Sequence, residues 1–151
     1  MASLALLTKR SSHRFEKIYK DGVLFIDDSY NANALSVVAV LKSMPEPENS
    51  GRKIFVFGEM KELGTMSKIS HSIVCSESLK SIDIALCIGR DTKMMVEAFE
   101  KAGKYAIYHY DYKTLKENLF KIIRKDDVVL LNGANSHTLW RLLENATQNV
   151  E

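Results

Sequence analysis

Short, strongly apolar runs, each followed by residues at helical spacing, constrain this chain more than any other feature. Gly22-Val23-Leu24-Phe25-Ile26, Lys53-Ile54-Phe55-Val56-Phe57-Gly58, Ile84-Ala85-Leu86-Cys87-Ile88, Tyr105-Ala106-Ile107-Tyr108-His109-Tyr110 and Val128-Val129-Leu130-Leu131 are too short for helices and read as strands. Their apolar character is nearly continuous, the pattern of strands covered on both faces. Between them lie helical stripes: Ala34 to Leu41; Ile69, Ile73 and Val74; Met94, Met95, Ala98, Phe99 and Ala102, ended by Gly103; and Leu115, Leu119, Ile122 and Ile123. Leu139, Leu142, Leu143 and Ala146 stripe a last helix. Such alternation predicts right-handed βαβ units. Ahead of them His13 to Tyr19 alternates, and Lys20-Asp21-Gly22 makes a turn, so the first two strands form a hairpin. The expected fold is α/β in three layers, with a mostly parallel sheet of about six strands and an antiparallel strand at one edge.

The 151 residues, 46% hydrophobic and 26% charged, suit one domain with a sizeable core, assigned to residues 13–151. Residues 1–12 read as a disordered end, a linker or residues left from cloning. The formal charge of +2 is spread along the sequence without a basic stripe, which argues against nucleic acid. Cys75 and Cys87 form no CxxC pair, so both are expected as buried reduced thiols in a cytoplasmic protein, with no metal site. No stretch approaches the roughly 20 apolar residues that span a bilayer, and no membrane association is expected.

Chemistry should come from the ends of the strands. The densest polar cluster is Asp27-Asp28-Ser29-Tyr30-Asn31-Ala32-Asn33, a strand-to-helix turn. In open α/β sheets such turns line the ligand crevice, and the helix that follows offers free N–H groups to an anion. Ser, Asp and Asn are also ordinary turn and cap residues, so a purely structural role stays open. The other strand ends are Gly58-Glu59, Gly89-Arg90-Asp91, Asp111 and Asn132-Gly133. Lys61 can hold a substrate carboxylate or lie solvated at the surface, and Glu59 can order a neighbouring loop. His71, inside a helix, reads by itself as a packed or capping residue, and Asp91 and Asp111 read as N-caps. Asn132-Gly133-Ala134-Asn135-Ser136-His137 is a second glycine-bearing turn whose N–H groups can receive a carboxylate or phosphate, or whose Ser136 simply caps a helix. The sequence holds no GxxxxGK[ST] loop, no GxGxxG, no GxSxG elbow and no HExxH word.

The cluster Asp27 to Asn33, the word Phe57-Gly58-Glu59-Met60-Lys61-Glu62-Leu63-Gly64, His71 in the following helix, and Arg14-Phe15-Glu16 ahead of them resemble one family, the Mur ligases. The likeness is to the carboxy-terminal domain of the member type that adds D-alanyl-D-alanine to a UDP-muramoyl tripeptide, and it covers the chain from about His13 onward. Two positions depart from the family: Ala34 stands where a proline is usual, and Asn132-Gly133-Ala134-Asn135 replaces a Lys-Gly-Ser-Arg word. The resemblance implies a Rossmann-like domain with no catalytic residue of its own. It implies nucleotide contacts from Arg14, Asp28, Tyr30, Asn31, Asn33 and His71, and substrate contacts from Lys61, Gly133, Asn135 and Ser136. It further implies ATP and Mg2+ in the complete enzyme, neither bound tightly by this domain alone. The partners implied are a central ATPase domain, an amino-terminal UDP-binding domain and the incoming D-alanyl-D-alanine. By itself the chain is expected to be inactive, as one part of a larger ligase. Two other readings remain: a free-standing nucleotide-binding module, and a signalling receiver. A receiver needs an aspartate after a middle strand and a lysine after a late one, where this sequence offers Glu59 and Asn132.

Overall fold

The computed structural model describes residues 15–28, 33–61 and 63–133. A sheet of six strands runs in the order β1-β2-β6-β3-β4-β5. The strands are β1 (Glu16–Lys20), β2 (Val23–Asp28), β3 (Lys53–Gly58), β4 (Ile84–Ile88), β5 (Tyr105–His109) and β6 (Val128–Asn132). The helices are α1 (Ala34–Ser43), α2 (Ser67–Ser81), α3 (Lys93–Lys101) and α4 (Tyr112–Ile122). Only β1 is antiparallel, paired to β2 at the edge, and the other neighbours are parallel. Asp21 and Gly22, with φ of 52° and 80°, make the two-residue turn between β1 and β2, in which both central residues have positive φ.

The central strands are buried because helices cover both faces. Val37, Leu41, Val74, Met95 and Phe99 of α1, α2 and α3 pack with Leu24, Ile26, Phe55, Phe57 and Leu130 on one face. Leu115 and Leu119 of α4 pack with Phe25, Ile54, Val56, Leu86, Val129 and Leu131 on the other. Helix ends follow local chemistry. Asn33 caps α1, accepting from Ser36 N at 3.0 Å, and Pro45 follows its last turn. Asp111 caps α4, accepting from Thr114 N at 2.7 Å, and Gly103 follows α3 with φ of 74°. At the amino ends of the strands, Asp127 accepts bonds from Arg52 N (2.9 Å), Nε (3.2 Å) and Nη2 (2.7 Å) and from Arg124 N (2.9 Å), fastening β6 to β3.

Four sequence readings change. β2 continues through Asp27 and Asp28, which pair with Leu131 and Asn132 and are buried, so these carboxylates finish the strand. In α2 the inward line is His71, Val74, Cys75 and Ser78, whereas Ile69 and Ile73 face solvent. A polar inner line is tolerated because His71 is hydrogen-bonded and Ser78 Oγ donates to Val74 O at 2.8 Å. Asp91 caps no helix. It lies within the 3-10 turn Arg90–Thr92, where its carboxylate accepts from Ser67 Oγ at 2.7 Å. β5 stops at His109, one residue short of Tyr110. The last stripe, Leu139 to Ala146, lies outside the described residues. Cys75 and Cys87 are buried free thiols. Burial, then the neighbouring Cys75, push Cys87 up to about 12, against a smaller downward pull from the Thr92 hydroxyl.

Candidate functional site

The parallel strands all end at one edge of the sheet, so residues distant in sequence meet there. Asp28, at the end of β2, is 1% exposed. Its Oδ1 accepts from Phe15 N at 2.9 Å, and its Oδ2 accepts from Asn132 Nδ2 at 2.9 Å. The same Asn132 amide donates to Asp28 O at 3.1 Å. Asp28 therefore ties the start of β1, the end of β2 and the end of β6 together from inside. Asn132 Oδ1 is buried without a partner among the described residues, an acceptor left over after its amide nitrogen is used twice. Gly133, next in line, has φ of 150°, and a Cβ there would lie 2.6 Å from Gly58 N and Cα. The exits of β6 and β3 touch backbone to backbone, which only glycine permits. Asn33, by contrast, is exposed, and while its Oδ1 caps α1, its Nδ2 has no bond among the described residues.

A second part of the edge lies between β3 and β4. Glu59 N continues the ladder to Ile88 O at 3.0 Å, and its carboxylate receives Asp91 N at 3.0 Å and Lys61 Nζ at 2.8 Å. Glu59 thus does order the neighbouring loop, and Lys61 is exposed but ion-paired. His71 is 1% exposed. Its Nε2 accepts from Met60 N at 2.9 Å, which leaves the proton on Nδ1, 2.7 Å from Ser67 O. The ring also tilts against Phe57, centroids 5.8 Å apart. His71 therefore holds the turn at Met60, with both ring nitrogens engaged by the chain. Glu59, Lys61, Gly64, Ser67, Arg90 and Asp91 line a groove of ≈ 510 Å³.

The sequence placed Arg90 at a strand end but gave it no role. It is exposed on the groove and forms no ion pair among the described residues, so it is an available cation beside a lysine already committed to Glu59. Its signal was positional, a Gly-Arg-Asp step directly after an apolar run. Lys93 was given no role either; its Nζ sits 5.0 Å from the Tyr108 ring centroid and 5.8 Å from that of Tyr110, whose rings meet edge to face. Of the expected contact residues, the edge brings together Asp28 and Gly133 as framework, Asn33 and Lys61 at the surface, and His71 beneath. Arg14, Tyr30, Asn31, Asn135 and Ser136 lie outside the described residues. Among the described residues no three His, Cys, Asp or Glu side chains converge on a metal position, and no helix is long and apolar enough to cross a membrane. Free amide and guanidinium donors at an open rim suit recognition of an anionic ligand.

Residues 13–135 match the family described as Mur ligase, glutamate ligase domain. The UDP-N-acetylmuramoyl-tripeptide--D-alanyl-D-alanine ligase of Escherichia coli K12 is 28% identical over 152 residues, spanning 98% of this chain and 32% of that protein. The ligase of the same name from Buchnera aphidicola subsp. Baizongia pistaciae is 32% identical over 123 residues, 79% of this chain and 25% of that one. The crystal structure of a MurF ligase from Thermotoga maritima in complex with ADP superposes with a TM-score of 0.69 at 28% identity, covering 87% of this chain and 30% of that one. The chain thus spans a third or less of the length of these relatives. With residues 13–135 matched, most of its length, this chain belongs to the Mur ligase family, through its glutamate ligase domain.

Proposed function

We propose that this chain is the carboxy-terminal domain of an ATP-dependent peptidoglycan-precursor ligase that joins D-alanyl-D-alanine to a UDP-muramoyl tripeptide. In such a ligase ATP phosphorylates the tripeptide carboxylate, and the dipeptide amine attacks the acyl phosphate. This domain closes over ATP and positions the dipeptide, excluding water from a labile intermediate. One observation carries the reading: 79% and 98% of the chain match under a third of two ligases bearing that one name. The absence of a P-loop from the sequence fits a domain whose ATP and Mg2+ are held mainly by a central domain, with the UDP moiety held by an amino-terminal one.

In this reading Arg14, Asp28, Tyr30, Asn31, Asn33 and His71 belong to the nucleotide side. Asn33 makes direct contact, while Asp28 and His71 act by holding the turns. Lys61, Asn135 and Ser136 belong to the dipeptide side, and Gly133, expected there too, acts by holding the exits of β6 and β3 together. The reaction places the protein in the cytoplasm, where nucleotide-linked precursors and ATP are available.

The test replaces the matched region of the Escherichia coli ligase by residues 13–151 and follows ADP release and amide formation. ADP release that depends on D-alanyl-D-alanine is expected from the fusion, and none above a blank from the chain alone. ATP turnover by the isolated chain that survives further purification would refute the reading. A phosphate adduct on an aspartate after incubation with a small phosphodonor and Mg2+ would favour the receiver instead.

A further inference from the structure

At the amino ends of the parallel strands, on the side of the sheet away from the groove, lies a cavity of ≈ 460 Å³. That is within the roughly 300–1,000 Å³ of small-molecule sites. Its floor and one wall are apolar. Phe25 of β2 is buried, its ring centroid lies 6.4 Å from that of half-buried Phe120 of α4, and Ile123 follows just after that helix. Three cations stand around this apolar bed: Lys20 at the end of β1, and Arg124 and Lys125 in the turn between α4 and β6. Asp21, the one anion in the described lining, is accounted for by the turn between β1 and β2, where its φ is 52°.

The ordinary structural uses of a cation do not account for Arg124 and Lys125. Both are exposed and form no ion pair among the described residues. The carboxyl end of α4 does not require them either, because Ile122 O already receives Arg52 Nη2 at 2.7 Å. The same bond quiets a negative helix end that would otherwise repel an anion. The backbone around the cavity is also fixed before any ligand arrives. Asp126 N donates to Gly22 O at 2.8 Å, Leu24 N to Asp127 O at 3.0 Å, and Arg124 N to Asp127 Oδ2 at 2.9 Å. The hairpin and the turn before β6, which carry the three cations, are thereby held together, and a site built in advance costs less to order on binding.

We infer that this cavity binds a small amphipathic acid, with an apolar aryl or acyl body and one carboxylate. The body covers Phe120 and Ile123 above Phe25, and the carboxylate takes the Arg124 fork, with Lys20 and Lys125 beside it. The two features choose the class together: an uncharged apolar ligand would leave the cations unused, and an inorganic anion would leave the apolar bed wet.

The test titrates the full chain by calorimetry with naphthoate and with decanoate, one aryl acid and one acyl acid, and with the neutral amide of each. We expect at least one acid to saturate a single site, its amide to bind at least about tenfold more weakly, and inorganic phosphate to show no saturation. The acid that binds more tightly identifies the body. Arg124→Gln and Lys125→Gln together should weaken the acid at least about tenfold, leave the amide nearly unchanged and keep the melting temperature, since both side chains are exposed. Lys68→Gln, which removes an exposed charge on α2, should have no effect. Failure of both acids to saturate would overturn the inference, as would equal affinity for an acid and its amide, or a loss from Lys68→Gln as large as that from the paired change. Self-association of the chain that the acid disperses would overturn it too, because the occupant would then be a second copy.

Discussion

Replacing Gly133 by alanine isolates the contact that closes the carboxyl edge. The new Cβ would lie 2.6 Å from Gly58 N and Cα and 2.7 Å from Gly58 O, all backbone, where ordinary contact begins at 3.4 Å. The two strand exits must therefore separate by about 0.8 Å, and no flexible side chain is there to yield. Overpacking of this kind costs about 1–3 kcal/mol, and forcing an L side chain to φ of +150° adds about 1–3 kcal/mol. We expect a combined loss of about 3–5 kcal/mol, a large part of the roughly 5–15 kcal/mol that holds a domain folded. With urea slopes of about 1–3 kcal/mol per molar, the unfolding midpoint should fall by on the order of 2 M. Gly64→Ala is the control: it too has positive φ, +56°, but a Cβ there meets nothing within 4 Å. Backbone strain alone should cost it about 1 kcal/mol. In a complete ligase, Gly133→Ala should weaken ATP and dipeptide together, since it displaces β3 and β6 rather than one subsite. Equal losses of stability for the two alanine variants would refute the close-approach argument. A selective loss of dipeptide affinity with the midpoint unchanged would instead make Gly133 a substrate contact.

Two further outcomes are expected. Asn33→Ala should lose about 1 kcal/mol of stability with its cap, and Asn33→Ser, which still caps, should recover it. In a complete ligase neither should recover the contribution of the free amide, about 1–3 kcal/mol or roughly 5- to 150-fold in the apparent ATP constant, and recovery of both properties by serine would reduce Asn33 to a cap. Burial pushes the Asp127 carboxyl up, but bonds from the Arg52 guanidinium, from Arg124 N and Arg52 N, and the Arg52 charge outweigh it and hold the group below its ordinary value. A depressed folded value contributes stability above the unfolded pKa of about 3.9 and loses it as pH falls through the folded one. Asp127→Asn should therefore destabilise most near neutral pH and progressively less below about pH 4, and a pH-independent difference in unfolding midpoint would contradict this.

The sequence by itself determined the elements and the class of fold, because those depend on neighbours within a few residues. Continuous apolar runs marked the strands, four of which are buried along their whole length, stripes at helical spacing marked the helices, and Asp21-Gly22, Asn33, Asp111 and Gly103 each set a local turn or cap. It also marked the strand ends as the place for a site, since five parallel strands must finish on one side. What each polar residue does at that edge was decided only by the tertiary structure. Asp28 is turned inward by Asn132, 104 residues away, and β6 inserts between β2 and β3, an order no local pattern encodes. His71 is held inside by Met60 N, a backbone donor whose position depends on where β3 stops. Ile69 and Ile73 stay outside because His71 and Ser78 occupy the inward line, although hydrophobicity alone ranks the isoleucines as the core. Lys61 and Arg90 look alike as exposed cations in the sequence. Glu59 pairs with Lys61 and leaves Arg90 free of any ion pair among the described residues, so the distinction lies in which strand ends meet, and that is a property of the folded sheet.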